Sequence, residues 1–128
     1  MPIQTLDQLH GARRLVLEWA TRLDFSTLER TKLVTAASEL GRNTLVHGKG
    51  GVMTITELKP GAKVGLQLEF TDEGPGIPSI EQAMTDGYST EKSLGLGLGG
   101  ARRLVNEFEI WSEQAQGTRV TIRQWKRR

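Results

Sequence analysis

Apolar residues recur at helical spacing from the start of the chain. Leu6, Leu9, Ala12, Val16, Trp19, Ala20 and Leu23 share one side of a helical repeat. Thr5-Leu6-Asp7-Gln8 has the form of a capping box, so a first helix begins near residue 6. Asp24-Phe25 breaks the pattern, and Ser26-Thr27-Leu28-Glu29 is a second box. It opens a helix predicted to run to about Val46, with Leu33, Ala36, Ala37 and Leu40 as its buried stripe. Gly48-Lys49-Gly50-Gly51 stops this helix, because glycine accepts the left-handed backbone that a helix end needs.

The period then changes to two. Val52 to Glu57 reads as a strand, Lys59-Pro60-Gly61-Ala62 as a turn, and Val64, Leu66, Leu68 and Phe70 as the apolar side of a half-buried antiparallel strand. A loop-rich stretch follows. In it Ser79 to Met84 predicts a short helix, and the polar run Asp86 to Leu94 predicts a mobile lid within residues 78–97. A third long helix is expected from about Leu98 to Glu107, with Ala101, Leu104 and Val105 inward. Phe108 to Trp111 and Thr118 to Ile122 predict a closing hairpin. Strands arrive in hairpins and do not alternate with helices. The expected fold class is therefore α+β: a two-layer sandwich with helices on one face of a mixed or antiparallel sheet. A doubly wound Rossmann sheet is disfavoured.

Composition narrows the picture. A chain of 128 residues, 37% hydrophobic and 25% charged, predicts a single soluble domain over residues 1–128. Its apolar runs are too short to span a bilayer, and no secretory signal is visible, so no membrane association is expected and a cytoplasmic location is permitted. Cysteine is absent, which excludes disulfides and thiolate metal sites. Net charge is +2, with Arg119, Arg123, Lys126, Arg127 and Arg128 crowded at the C-terminus. Interleaved aromatics and a recognition-helix pattern are missing. The basic cluster therefore reads as a solvated terminus, and nucleic acid is not an expected partner.

Three segments carry candidate chemistry. Glu39, Asn43 and His47 are spaced by four and lie on one helical face. There a carboxylate can take a proton from a hydroxyl, and an amide oxygen suits Mg²⁺ held mainly by phosphates and water. An exposed polar stripe is the alternative, and His47 reads more simply as a helix-end residue near the negative end of the dipole. Asp72 leaves a strand and precedes Glu73-Gly74-Pro75-Gly76. Such a carboxylate can accept from an exocyclic amino group while glycines let the backbone approach a flat ring; a tight turn is the alternative. Gly95-Leu96-Gly97-Leu98-Gly99-Gly100 precedes a helix, where free amides attract phosphate. A glycine-dense run is costly to order without a use, although it lacks the Gly-Lys-Ser/Thr of a P-loop. Thr118 can hold a water or a base, or can serve only as a strand-forming residue.

In this order and spacing, Glu39-x-x-x-Asn43, Asp72-x-Gly74-x-Gly76-Ile77 and Gly95-x-Gly97-Leu98 resemble the N, G1 and G2 boxes of the GHKL ATP-binding fold. Within that group the chain is similar to small bacterial serine kinases of the anti-sigma-factor type, in particular the RsbT-type switch kinases. The resemblance runs from Leu6 to Trp125 and includes Asp86-Gly87-Tyr88-Ser89-Thr90 and Arg103 to Phe108. It implies an ATP- and Mg²⁺-dependent serine/threonine protein kinase acting on a STAS-domain protein in a stress or sigma-factor switch. Glu39 would be the general base and Asn43 the Mg²⁺ ligand. Asp72 would bind the adenine amino group, with Gly74, Gly76 and Ile77 shaping that pocket. Gly95, Gly97 and the amides near Leu98 would hold the phosphates, and Thr118 would support the base.

The chain departs from the family pattern at Gly41, where alanine is more usual; glycine there should cost the helix on the order of 1 kcal/mol. Only Pro2 to Gln4 remain for the fold's first strand. An exposed edge invites pairing, so a homodimer is a hypothesis. Two other functions compete with the kinase: an ATP-binding anti-sigma factor that sequesters a sigma factor, with or without kinase activity, and a non-catalytic nucleotide module that recruits a PP2C-type phosphatase or another regulator.

Overall fold

The computed structural model describes residues 1–77, 80, 84 and 97–127. Strand β1 (Pro2–Ile3) precedes helices α1 (Leu6–Arg22) and α2 (Thr27–Val46). The hairpin β2 (Gly51–Leu58) and β3 (Gly65–Asp72) follows, then helix α3 (Gly97–Leu104) and the hairpin β4 (Glu107–Glu113) and β5 (Gly117–Trp125). The strands form one sheet in the order β1-β2-β3-β5-β4, and every ladder is antiparallel. The expected short helix from Ser79 and the lid from Asp86 to Leu94 lie outside the described residues, apart from a Met84 N–H to Ile80 carbonyl bond of 2.9 Å.

Helices cover one face of the sheet. Met53, Leu66, Leu68, Phe70, Val120 and Ile122 point inward from alternate strand positions and pack on the buried stripes of α1 and α2. This is the two-layer α+β sandwich expected from the hairpin order. Burying such side chains supplies roughly 1.5–3 kcal/mol each before entropy is counted. Gly41 lies at the α1–α2 contact: a Cβ there would stand 2.5 Å from Leu9 Cδ1. Its propensity cost therefore comes with a closer approach of the two helices.

The helix starts are set by caps. Ser26 and Glu29 form the complete box: Glu29 N–H donates to Ser26 Oγ at 3.1 Å and Ser26 N–H to Glu29 Oε1 at 2.7 Å. At α1 the box is split. Thr5 Oγ1 accepts from Gln8 N–H at 3.1 Å, but the Gln8 side chain accepts from Gln4 N–H at 2.6 Å, one residue before the expected partner.

Helix α3 ends at Leu104 rather than at Glu107. Asn106 is the cause: its N–H donates to Gln124 Oε1 at 2.9 Å and its Oδ1 accepts from Trp125 N–H at 2.7 Å. These bonds turn the chain into β4, where Glu107 meets the Trp125 indole and Arg123.

The other sheet face is polar. On it Arg123 donates to Gln67 at 2.8 Å and pairs with Glu107 at 3.1 Å and Glu109 at 2.8 Å. The Arg127 N–H donates to Glu29 Oε2 at 2.8 Å. The basic C-terminus is thus partly docked rather than wholly solvated. At the opposite edge β1 covers only one end of β2, with Met53 N–H bonded to the Met1 carbonyl at 2.8 Å.

Candidate functional site

The sheet carries one row of residues beneath the C-terminal end of α2. Gly51 pairs with Asp72, Asp72 with Thr118, and Thr118 with Ser112, across four adjacent strands. Cross-strand partners share a face, so Asp72, Thr118 and Ser112 all point toward the helical side. Asp72 and Thr118 are buried.

Burial pushes the Asp72 carboxyl above its ordinary range, against the pull of the Gly74 N–H, 2.9 Å from Oδ1, and of the Thr118 backbone amide. A carboxylate kept in so dry a place is poised for a ligand that donates to it. Room for that carboxylate comes from Gly48: any Cβ there would run into Asp72 Cγ and Oδ2. Gly74 in turn sits against the Gly48 backbone, where a Cβ would meet Gly48 Cα at 2.8 Å.

The segment after Asp72 is strapped to the β4–β5 hairpin. Ala115 N–H donates to the Pro75 carbonyl at 2.8 Å, and Ile77 N–H to Ser112 Oγ at 2.7 Å. Gly76 has φ +80, and a Cβ there would strike the Glu113 carbonyl. The Ile77 side chain packs against the core.

Glu39 and Asn43 stand one turn apart on α2, both half-buried. Glu39 Oε2 accepts from the Gly97 N–H at 3.3 Å, which ties α2 to the first residue of α3. The carboxylate thus faces a helix N-terminus, where free amides and the helix dipole favour negative charge. The Leu98 side chain is buried and anchors α3 in the core. Gly95 lies outside the described residues. His47 is the C-cap of α2, and its N–H donates to the Asn43 carbonyl at 2.9 Å.

Glu39 also lines a groove of about 400 Å³ between α1 and α2. Its walls combine apolar Leu6, Leu45 and Val46 with basic Arg13 and Arg42. The Glu39 carboxylate therefore borders both this groove and the α3 N-terminus.

The structure joins the predicted residues into two clusters, Asp72 with Gly74, Gly76, Ile77 and Thr118, and Glu39 with Asn43, Gly97 and Leu98. Two participants were missed by sequence reasoning. Gly48 reads in the sequence only as a helix stop. Ser112 lies one residue beyond the predicted end of its strand, and its pairing with Thr118 follows from the observed Glu113–Gly117 register, one residue tighter than the turn read from the sequence.

Among the described residues no group of three or more His, Asp or Glu side chains is placed to hold a metal ion. An ion here would lean on the Asn43 amide and on a ligand's own oxygens, a donor set that suits Mg²⁺. No helix among the described residues is long and apolar enough to cross a membrane.

Comparisons with known proteins agree with this fold. The family model of the histidine kinase-like ATPase domain matches residues 4–124. The chain is 38% identical to the serine/threonine-protein kinase RsbT of Bacillus subtilis, over 98% of this chain and 94% of the relative. It is 34% identical to an anti-sigma F factor of a Thermoanaerobacter species, over 87% of this chain and 80% of that one. Among solved structures, that of the RsbU and RsbW domains of a Mycobacterium tuberculosis protein covers all of this chain and 33% of the other, with TM-score 0.68 and 22% identity. The catalytic domain of the histidine kinase ThkA covers 98% of this chain and 95% of its own, with TM-score 0.55 and 18% identity. These two likenesses concern the fold. Taken together, the antiparallel sandwich, the buried Asp72 among its glycines and a family match over nearly the whole chain mean that this protein belongs to the histidine kinase-like ATPase domain family.

Proposed function

We propose that the protein is an Mg²⁺- and ATP-dependent serine/threonine protein kinase that phosphorylates a STAS-domain partner in a bacterial stress or sigma-factor switch. The observation that carries this reading is the place of Glu39: it lines an open groove on one side and meets the Gly97 amide on the other. A protein hydroxyl entering by the groove reaches a carboxylate that borders a phosphate-binding helix end. The similarity to RsbT over almost the full length of both chains supports the same activity.

In this reading Asp72 accepts from the adenine amino group, Gly74, Gly76 and Ile77 form the wall of the base pocket, and Thr118 stands beside Asp72. On ATP binding the Gly97 amide would pass from Glu39 to the phosphates and hold them with the amides at Gly95 and Leu98, leaving the Glu39 carboxylate free to act as base. Asn43 ligates the Mg²⁺, which when bound neutralises phosphate charge. Glu39 takes the proton from the acceptor hydroxyl as its oxygen bonds to the γ-phosphorus. The bond from that phosphorus to the β,γ-bridging oxygen breaks, leaving ADP. Positioning does most of the work, as is general for phosphoryl transfer.

The basic groove suits an acidic or polar face of the partner, and a cytoplasmic location accompanies the reading. A homodimer through the β1 edge is part of the proposal, and a concentration-independent monomer mass in ultracentrifugation removes it.

The test incubates the protein with γ-labelled ATP, Mg²⁺ and a candidate STAS-domain protein. Label should reach a serine or threonine and be lost with Glu39→Ala, while ATP binding persists. Undiminished labelling by that variant would sink the base assignment. The similarity to anti-sigma F factors favours a second reading, an ATP-binding anti-sigma factor. ATP binding without transfer, together with co-purification of a sigma factor, would select it. A PP2C-type phosphatase among the captured partners fits either switch.

A further inference from the structure

We infer that Ser112 is a positioning residue that turns the Thr118 hydroxyl into a hydrogen-bond acceptor toward the nucleotide base, and so helps select a 6-amino over a 6-oxo purine. The inference rests on the reading of the Asp72 pocket as an ATP site.

The Ser112 hydroxyl has three polar neighbours. Its oxygen accepts from Ile77 N–H at 2.7 Å, its proton is directed to the Gly117 carbonyl at 3.0 Å, and Thr118 Oγ1 lies 2.9 Å away. A hydroxyl owns one proton and two lone pairs. The Gly117 carbonyl can only accept and the Ile77 amide can only donate. With the serine proton spent on Gly117, the remaining lone pair takes the Thr118 proton, and the valence of Ser112 is full.

Thr118 then has only lone pairs left to offer. It is buried and is the direct cross-strand partner of Asp72. The pocket therefore presents two acceptors side by side, the Asp72 carboxylate and Thr118 Oγ1; the two N–H bonds of a 6-amino group can satisfy both, whereas a 6-oxo purine offers only its single N1–H on that edge. A site built of acceptors rejects the analogue that lacks the donor, because its buried polar atoms are left unpaired. The same serine holds the Ile77 end of the segment that walls the pocket, so one hydroxyl sets both the shape and the polarity of the site.

The test is calorimetric titration of the full chain with ATP and with inosine triphosphate, whose base carries a 6-oxo group. Ser112→Ala frees the Thr118 proton to donate. ATP affinity should fall about five- to tenfold, the worth of one hydrogen bond, while inosine triphosphate affinity holds or rises. Ser112→Thr, which keeps the hydroxyl, should restore the ATP preference. Equal losses for both nucleotides would mean that Ser112 is merely structural and overturn the inference, as would no change in either. If Ser112→Ala does not fold, Thr118→Val carries the test: with Ser112 intact it must lower the ATP preference, and an unaltered preference overturns the proposal. A wild-type chain that binds neither nucleotide would overturn the ATP reading itself.

Discussion

Gly48 stands so close to Asp72 that any side chain at its position would overlap the carboxylate. The end of a helix is thereby committed to a strand-end acid distant in sequence. Gly48→Ala must displace Asp72 or the α2 C-terminus. Overpacking of this kind costs about 1–3 kcal/mol, and ATP affinity should fall with it. A thermal melt and a calorimetric titration read the two effects, and an alanine variant with wild-type affinity would show that the contact yields without consequence.

In the proposed adenine site Asp72 would serve binding at the expense of stability. Burial raises its pKa in the folded state. The native state therefore binds the proton more tightly than the unfolded chain, and stability falls as pH rises from the unfolded pKa through the folded one. At neutral pH that cost is fully present. Asp72→Asn removes it, so the variant should melt at or above the wild-type temperature at pH 7, with the difference closing in acid. ATP affinity should drop roughly tenfold as the charged acceptor is lost. A variant that is both less stable at pH 7 and unimpaired in binding would contradict the account on both counts.

Which features could be read from the sequence follows from the range of the interactions that set them. The starts of α1 and α2 were legible because caps are local, with Thr5, Ser26 and Glu29 marking them. Strand β5 runs on through Arg123, Gln124 and Trp125, where alternation alone gives no apolar signal; Gln124 is buried because its amide serves Asn106. The same long-range bond ends α3 early. In the site, Glu39 and Asn43 were legible as one face of α2, but periodicity cannot tell a solvated stripe from one that meets another helix. The Gly97 amide decides that, and it lies far along the chain. Gly48 and Ser112 escaped notice for the same reason, since each matters through a residue on another element.

Glu29 gives the opposite pH behaviour. Burial alone would raise its pKa, but the backbone N–H groups of Ser26 and Arg127 and the Ser26 hydroxyl outweigh it and hold the carboxyl below its usual value. Its stabilisation is thus present above the unfolded pKa and is lost as pH falls through the folded one. Glu29→Gln keeps one acceptor oxygen where two are used, and should cost about 1–2 kcal/mol at neutral pH. The gap to wild type should narrow in acid, because a protonated glutamate resembles glutamine. A pH-independent gap in chemical denaturation would assign the loss to packing instead.

In the proposed kinase the groove beside Glu39 would separate recognition of the partner from recognition of the nucleotide. Arg13 on α1 and Arg42 on α2 line it, and both are exposed, so neither is needed for the core. If the acceptor protein docks there, Arg13→Ala or Arg42→Ala should raise KM for that protein roughly five- to tenfold, the loss expected for an arginine near the centre of an interface. Charge reversal at Arg42 should do more, and added salt should weaken wild-type recognition in the same direction, because steering between opposite charges is screened. Affinity for ATP should move much less than KM for the partner in these variants, since the Asp72 row that holds the base lies elsewhere on the sheet. Labelling assays at saturating and limiting partner, paired with ATP titrations, measure the split. A fall in ATP affinity with KM for the partner intact would place the two arginines on the nucleotide side of Glu39 and close the groove as the route for the acceptor hydroxyl.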